Sequence, residues 1–326
     1  MYQIKQIPED FIVDEIINIK QQKEGDYIYL ILKKKDYTTN DAIQRIADKL
    51  KLNTKNIGFA GNKDRKAITT QLISFYKVSK ETLENLNLKD IELKFFGYGK
   101  APISLGELKG NKFKITVRNL INKEIKSLKS KVNKTILVPN LFGEQRFSNN
   151  NAEIGKSIIK KDFKKAVALI LKNNGYSENK VSDAISEKTT DYIGALRKIN
   201  KKILKLYIHA YQSEIFNKTI EKYKGKSHQK IPVIGFGTEL ENYDNELQKI
   251  IKKLMEKEKI TFRDFIIKQI PELSSNGDDR DLFVEVKDLN YKIENDETNK
   301  GKKKIILDFS LNKGCYATVV VDYLFN

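Results

Sequence analysis

The stretch "GFAGNKDRKAITTQ" (58–71) sets one carboxylate, Asp64, between Lys63 and Arg65, just after Gly58 and Gly61. Cations on both sides favour the ionised form of a carboxyl group, so Asp64 suits a nucleophile or a general base beside an anionic substrate. The same residues also describe a surface aspartate in a turn, paired with a neighbour at under about 1 kcal/mol. A phosphate loop is excluded, because Gly61 is followed by Asn62, Lys63 and Asp64 where a Walker A loop needs Gly-Lys and then Ser or Thr. What remains is a short strand, "IGFA" (57–60), then a glycine turn. The freedom of the glycine backbone is expected to swing Asp64 into a cleft at the strand end.

A second stretch, "VPNLFGEQRFSNN" (138–150), mixes Phe142 and Phe147 with amides and Arg146 in a loop opened by a Pro-Asn turn. Rings that stack on an exposed base, amides that bond its edge and cations that hold its phosphate are what single-nucleotide recognition requires. The alternative is that the two phenylalanines anchor the loop in a core and Arg146 makes a structural ion pair. Other chemistry has little material. Cys315 is the one cysteine, so disulfides and cysteine-ligated zinc are excluded, and His209 and His228 stand in no metal or triad spacing. His209 lies in a helical pattern, where packing or exposure accounts for it. No metal and no cofactor are expected.

The chain of 326 residues carries 61 Lys plus Arg against 43 Asp plus Glu, a net charge of +18, which points to a polyanionic partner. A lysine-rich proteome would raise charge without a binding role, but the acidic residues do not rise in step. The N-terminal "MYQIKQIPED" lacks an apolar core of signal-peptide length, and apolar runs such as "TVVV" (318–321) are far too short to span a bilayer. A cytoplasmic protein is expected, with no membrane partner.

The elements that must position these residues fall into three blocks. Up to 150, β-like runs at 11–19, 26–34, 69–79, 91–99 and 112–119 alternate with turns and with an amphipathic helix at 38–50. Between 151 and 280 the pattern becomes lysine-studded helices at 162–172, 201–223 and 245–259, whose lysines read as solvated faces. After 280 the β pattern returns in "DLFVEVKDLNYKI" and "KKIILDFSLNKGCYATVVVDYLF", with "ENDETNKGKKK" (294–304) as a polar exposed loop. Leaving a sheet, building helices and returning is read as an insertion into an α+β domain. No heptad seam or spare apolar face speaks for an oligomer.

The two motifs resemble signatures of the TruD family of tRNA pseudouridine synthases. "GFAGNKDRKAITTQ" is similar to its Lys-Asp segment followed by Ala-x-Thr-x-Gln, and "VPNLFGEQRF" to its Asn-x-Phe-Gly-x-Gln-Arg-Phe segment. "KQIPEDFIVDE" (5–15), "GELKGNKFKITVRN" (106–119), "AYQSEIFN" (210–217) and "FSLNKGCYATVVVDYLF" (309–325) resemble further family segments in the same order. "NGDDR" (276–280) keeps a glycine and an arginine before the last strands without a fixed register. The resemblance implies a mixed, mainly antiparallel sheet catalytic domain with helices, residues 1–150 plus 281–326, interrupted by a mainly helical insertion domain, 151–280. It implies catalysis by Asp64, a basic partner at Lys5, base stacking by Phe142 and an asparagine near the carboxylate at Asn140. The implied reaction turns uridine into pseudouridine in tRNA, at position 13 above all, with position 35 as a further target among relatives. Protein partners are not readable. A non-catalytic basic RNA-binding or chaperone protein, and a metal-dependent nuclease, are the rival readings.

Overall fold

The structure, a computed structural model, describes residues 2–132, 135–173, 176–225 and 229–326. His228 lies outside the described residues. The chain opens with β1 (Phe11–Ile16), β2 (Tyr27–Lys35), α1 (Thr39–Leu50), β3 (Ile57–Phe59), β4 (Ile68–Tyr76), α2 (Lys80–Glu84), β5 (Ile91–Gly99), β6 (Gly110–Leu120), α3 (Asn122–Lys131) and β7 (Ile136–Pro139). A helical stretch follows, with α4 (Asn151–Ile159), α5 (Phe163–Leu171), α6 (Tyr176–Glu187), α7 (Tyr192–Arg197), α8 (Lys201–Ile220), β8 (Lys230–Val233), α9 (Asn245–Glu258) and β9 (Asp278–Asp281). It closes with β10 (Phe283–Asn295), β11 (Lys303–Asn312) and α10 (Ala317–Phe325). Among the described residues no helix is long and apolar enough to cross a membrane.

Two compact units result. One holds Met1–Val138 and Glu285–Asn326, the other Pro139–Val284. The boundary expected at 150 therefore falls at 138, and the return expected at 281 falls at 285, so Asn140 and Phe142 are residues of the second unit.

In the first unit a nine-stranded sheet runs in the order β5-β2-β4-β1-β6-β11-β10-β7, with β3 also on β4. β1 and β4 pair in parallel, while β2–β4, β2–β5, β3–β4, β1–β6, β6–β11 and β10–β11 pair antiparallel. The sheet is thus mixed and mainly antiparallel. Alternation places Ile28, Leu30 and Leu32 of β2 and Ile73 and Phe75 of β4 in one buried cluster with Ala42, Ile43, Ile46 and Ala47 of α1. Thr38 caps α1, accepting from the Asp41 amide while the Asp41 carboxylate accepts from the Thr38 amide.

Arg118 of β6 is buried at the centre of a charge network. Its guanidinium donates from Nε to both Asp10 oxygens at 2.9 and 3.0 Å, and from Nη1 to Asp296 at 3.1 Å and Glu297 at 3.0 Å. Its backbone exchanges hydrogen bonds with Gln3 at 2.9 and 2.7 Å. The stretch 294–304 is consequently not a uniformly exposed loop: it ends one strand, begins the next, and buries Asp296 between them. Burial opposes ionisation of Asp296, but the Asn119 amide and the hydroxyl and amide groups of Thr298 and Asn299 hold its carboxyl far below the ordinary carboxylate range.

The tail also departs from expectation, because "ATVVVDYLF" forms the helix α10 and not a strand. Ala317, Val320, Val321, Leu324 and Phe325 are buried at helical spacing, and α10 packs on α3. Burying that stripe outweighs the β preference of three successive valines, which is worth tenths of a kcal/mol per residue.

The second unit is built around α8, whose Leu204, Tyr207, Ile208, Tyr211, Ile215 and Phe216 join Ile154 and Ile158 of α4, Ala166 and Ile170 of α5 and Leu247 and Ile251 of α9 in one core. A ribbon of β8 and β9 completes it, with Lys230 opposite Asp281 and Val233 opposite Asp278.

Replacing the buried guanidinium leaves two buried carboxylates without their cation. Arg118→Met is expected to lower stability at neutral pH by about 3–5 kcal/mol, measured by urea unfolding followed by circular dichroism. The deficit should narrow on acidification. In the variant the buried Asp296 carboxylate is left without the guanidinium that stands 3.1 Å away in the wild type, and protonation in acid removes the unpaired charge, so the deficit that comes from Asp296 fades.

Candidate active site

Ile68, the first residue of β4, pairs with Ile12 of β1 on one side and Lys35 of β2 on the other. The starts of β1 and β4 and the end of β2 therefore meet at one edge of the sheet. Thr39, which opens α1, follows β2 at the same edge. The loop 60–67 enters β4 there and is pinned largely by side chains. Gln71 Nε2 donates to the Gly61 carbonyl at 3.0 Å, the Lys63 amide donates to Thr39 Oγ1 at 2.8 Å, and the Thr39 hydroxyl donates to Gln71 Oε1 at 2.8 Å. Lys63 Nζ turns inward to Glu15 Oε2 at 2.8 Å, with both side chains almost wholly buried. Lys34 Nζ donates to the Asp64 carbonyl at 3.0 Å and to the Tyr37 carbonyl at 2.5 Å.

The Asp64 carboxylate emerges from this scaffold one-third exposed and meets Lys5 Nζ at 2.6 Å, across 59 positions of sequence. The same ammonium sits 4.0 Å from the centroid of the Phe11 ring. Lys5 has φ 56°, a left-handed conformation that costs a non-glycine residue on the order of 1 kcal/mol or more. Its neighbours hold it there, since Gln3 is paired with the Arg118 backbone and Asp10 with the Arg118 side chain.

Two expectations about the loop need correction. The flanking cations do not serve Asp64: Lys63 is committed to Glu15, and Arg65 and Lys66 are exposed, with no ion pair among the described residues. Nor does the freedom expected of the glycine backbone show as a positive φ, for Gly58 and Gly61 are absent from the positive-φ residues. A Cβ on Gly61 would meet nothing nearer than 3.6 Å. Gly58 is needed for space, because a Cβ there would lie 2.4 Å from the Ile103 carbonyl oxygen and 2.6 Å from Ser74 Oγ.

In the second unit, Phe142 is fixed by Asn217 of α8, which accepts from the Phe142 amide and donates to its carbonyl, both at 2.9 Å. Phe216 meets the Phe142 ring edge-on at 5.4 Å between centroids, and the Arg280 guanidinium lies 4.2 Å from the ring centroid. Arg280 also donates to the Asn140 carbonyl at 3.0 Å and to Asn140 Oδ1 at 2.7 Å, while Asn140 Nδ2 donates to the Asp281 carbonyl at 3.0 Å. Asn140 is thus buried with both ends of its amide engaged. Arg146 Nε donates to Ser213 Oγ at 3.3 Å, and its guanidinium lies 5.5 Å from the Phe142 ring centroid. His209 is exposed on α8.

Lys5 and Asp64 therefore come together from separate motifs, as do the "VPNLFGEQRF" and "AYQSEIFN" segments through Phe142, Phe216 and Asn217. A family model described as tRNA pseudouridine synthase D (TruD) matches residues 2–188, 171–233 and 222–323, nearly the whole chain. The chain belongs to the TruD family. Among its relatives, a Methanosarcina barkeri protein named as a probable tRNA pseudouridine synthase D is 30% identical over an alignment of 405 positions, gaps included, covering 98% of this chain and 92% of its own length. A Nanoarchaeum equitans protein of the same name is 31% identical over 395, covering 99% and 98%. The crystal structure of the Methanosarcina mazei TruD protein superposes with a TM-score of 0.76 at 27% identity, over 99% of this chain and 93% of that one.

The sequence alone assigned no role to Lys34, Thr39, Gln71, Glu15, Asn217 or Arg280 in this TruD chain. Some carried a signal: Lys34 falls on the inward phase of an alternating strand, and Arg280 closes the "NGDDR" segment. Thr39 and Asn217 lie in helices, where nothing local marks a residue that bonds a distant loop.

The glycine roles are separable by stability. Gly58→Ala is expected to cost about 1–3 kcal/mol through overpacking, whereas Gly61→Ala should change stability by no more than about 0.5 kcal/mol. Urea midpoints of the two variants check this.

Proposed function

We propose that this TruD chain is a cytoplasmic tRNA pseudouridine synthase that isomerises uridine at position 13 of tRNA, with Asp64 as the catalytic residue. The observation that carries the assignment of Asp64 is its contact with Lys5. The only carboxylate of the Gly-Asn-Lys-Asp segment is held 2.6 Å from an ammonium, while its remaining surface is open to a ligand.

The reaction breaks the bond between N1 of uracil and C1′ of ribose, turns the base, and joins C5 to C1′; C5 loses its proton and N1 gains one. Nothing else enters or leaves. The target nucleotide is flipped from its stack so that the sugar can be reached. Asp64 then either attacks C1′, forming a covalent ester that the turned base displaces, or removes the C2′ proton to give a glycal that adds C5 at C1′ and is reprotonated at C2′. In both routes Lys5 fixes the orientation of the carboxylate and offsets charge that changes at its oxygens. Phe142 supplies a ring for the uracil, stiffened by Phe216 and Asn217. Asn140 serves substrate binding indirectly, by anchoring Arg280 beside that ring. The surplus of cations holds the phosphate backbone, which makes binding fall steeply with salt.

Asp64→Asn keeps the size and packing of the side chain and removes its charge. It is expected to cut pseudouridine formation by more than about a thousandfold while tRNA affinity stays within about threefold. Base-by-base mapping of pseudouridine on transfer RNA treated with each protein, together with filter binding, measures both. Modification by the variant at the wild-type rate would sink the assignment of Asp64, and modification at another uridine would correct the position.

A further inference from the structure

Lys34 occupies the fourth place in the inward row Ile28, Leu30, Leu32, Lys34 of β2, and it is 1% exposed. Among the described residues no carboxylate oxygen lies within salt-bridge distance of its Nζ; the groups it meets are the carbonyls of Asp64 and Tyr37. Burying an ammonium without a counter-ion is costly, and a leucine at this place would continue the apolar row at no such cost. The cost is borne at one spot. Nζ bridges the peptide that carries Asp64 and the peptide that leads into the cap of α1, so it ties the loop to two regular elements at once.

We propose that Lys34 is a positioning residue for catalysis: its buried ammonium fixes the main chain at Asp64 and supports the carboxylate from the protein side while Lys5 holds it from the ligand side. This inference rests on the reading of Asp64 as catalytic. It assigns Lys34 no contact with RNA. Displacing a reacting carboxylate by an ångström costs on the order of a hundredfold in rate, whereas tRNA affinity comes from contacts elsewhere. The loss of Lys34 should therefore fall on kcat and spare KM.

A pH dependence follows from the surroundings. The charged groups around Lys34 are Asp64 and Lys63 of the loop and Asp41 of α1. Burial pushes the Lys34 pKa down to about 8, and the attraction of Asp64 offsets this only in part. The ammonium is charged below that value and loses its proton as the pH rises through it, so kcat should decline above pH about 8.

The test uses the full chain and a tRNA transcript, with Lys34→Met and Lys34→Arg made beside Asp64→Asn. Lys34→Met is expected to lower kcat about a hundredfold with KM within about threefold, at every pH and without the decline near 8. Lys34→Arg should recover at least tenfold over Lys34→Met and keep its rate above pH 8, because a guanidinium stays charged. Wild-type kcat for Lys34→Met, or a loss confined to KM, overturns the proposal. Should Lys34→Met fail to fold, Lys34→Gln takes its place: wild-type kcat in that variant overturns the proposal, and a loss in kcat with KM within about threefold that Lys34→Arg recovers supports it. An active Asp64→Asn would overturn the catalytic reading and this inference with it. An inactive Asp64→Asn beside a fully active Lys34→Met overturns the role of Lys34 alone.

Discussion

The Lys5–Asp64 contact joins two residues that stand on irregular backbone, and that constraint shapes the first unit. A helix or strand fixes a side chain through its own ladder of hydrogen bonds, but a loop must borrow its rigidity from elsewhere. On the Asp64 side the lenders are Gln71 of β4, Thr39 of α1, Glu15 of β1 and Lys34 of β2. Each such bond is worth about 1 kcal/mol net, yet four of them from four different elements leave the loop one conformation. On the Lys5 side the lender is Arg118, which clasps the chain before Lys5 with its backbone and the chain after it with its guanidinium.

Arg118 also binds Asp296 and Glu297, between β10 and β11. The strands contributed by the last part of the sequence therefore do more than widen the sheet. They complete the network that holds a residue near the N-terminus. A chain that leaves its first unit and returns can use the returning segment in this way, since the return brings distant carboxylates beside β6 by strand pairing.

What was legible in the sequence were features decided over a few residues. β5 could be read from its residue types at its observed bounds, and α1 from Thr38 and its apolar spacing, because alternation and capping are local physics. The partnership of Lys5 with Asp64 came from motif resemblance, and the structure brings those two residues together. Features set by distant partners were not legible. Asp296 sits in a polar stretch and would be solvated but for Arg118, 178 positions away. The α10 valines read as strand until α3 offers them a surface. The charged neighbours of Asp64 suggested a local cage, whereas the buried Glu15 of β1 takes Lys63 inward and Arg65 and Lys66 stand in solvent. Even Gly58 is required by the approach of Ile103, a contact that depends on tertiary packing and on no local turn.

The placement of buried polar groups bears on why this edge of the sheet is built as it is. In the first unit Lys34, Thr39, Lys63 and Gln71 hold the loop that carries Asp64, and Asp10, Arg118 and Asp296 hold the segment that carries Lys5. The remaining sheet interior, from Ile28 to Phe75 and from Phe113 to Phe309, is apolar but for Thr69 and Ser74 of β4. Exchanging buried ionic groups for well-packed apolar ones is often neutral or stabilising, so stability alone gives no reason to gather them at one end. Their concentration around a single ammonium and carboxylate is what a fold shows when local rules are broken for the sake of a site. The apolar body of the sheet supplies the stability, and the polar edge spends part of it to keep two loop residues within 2.6 Å of each other.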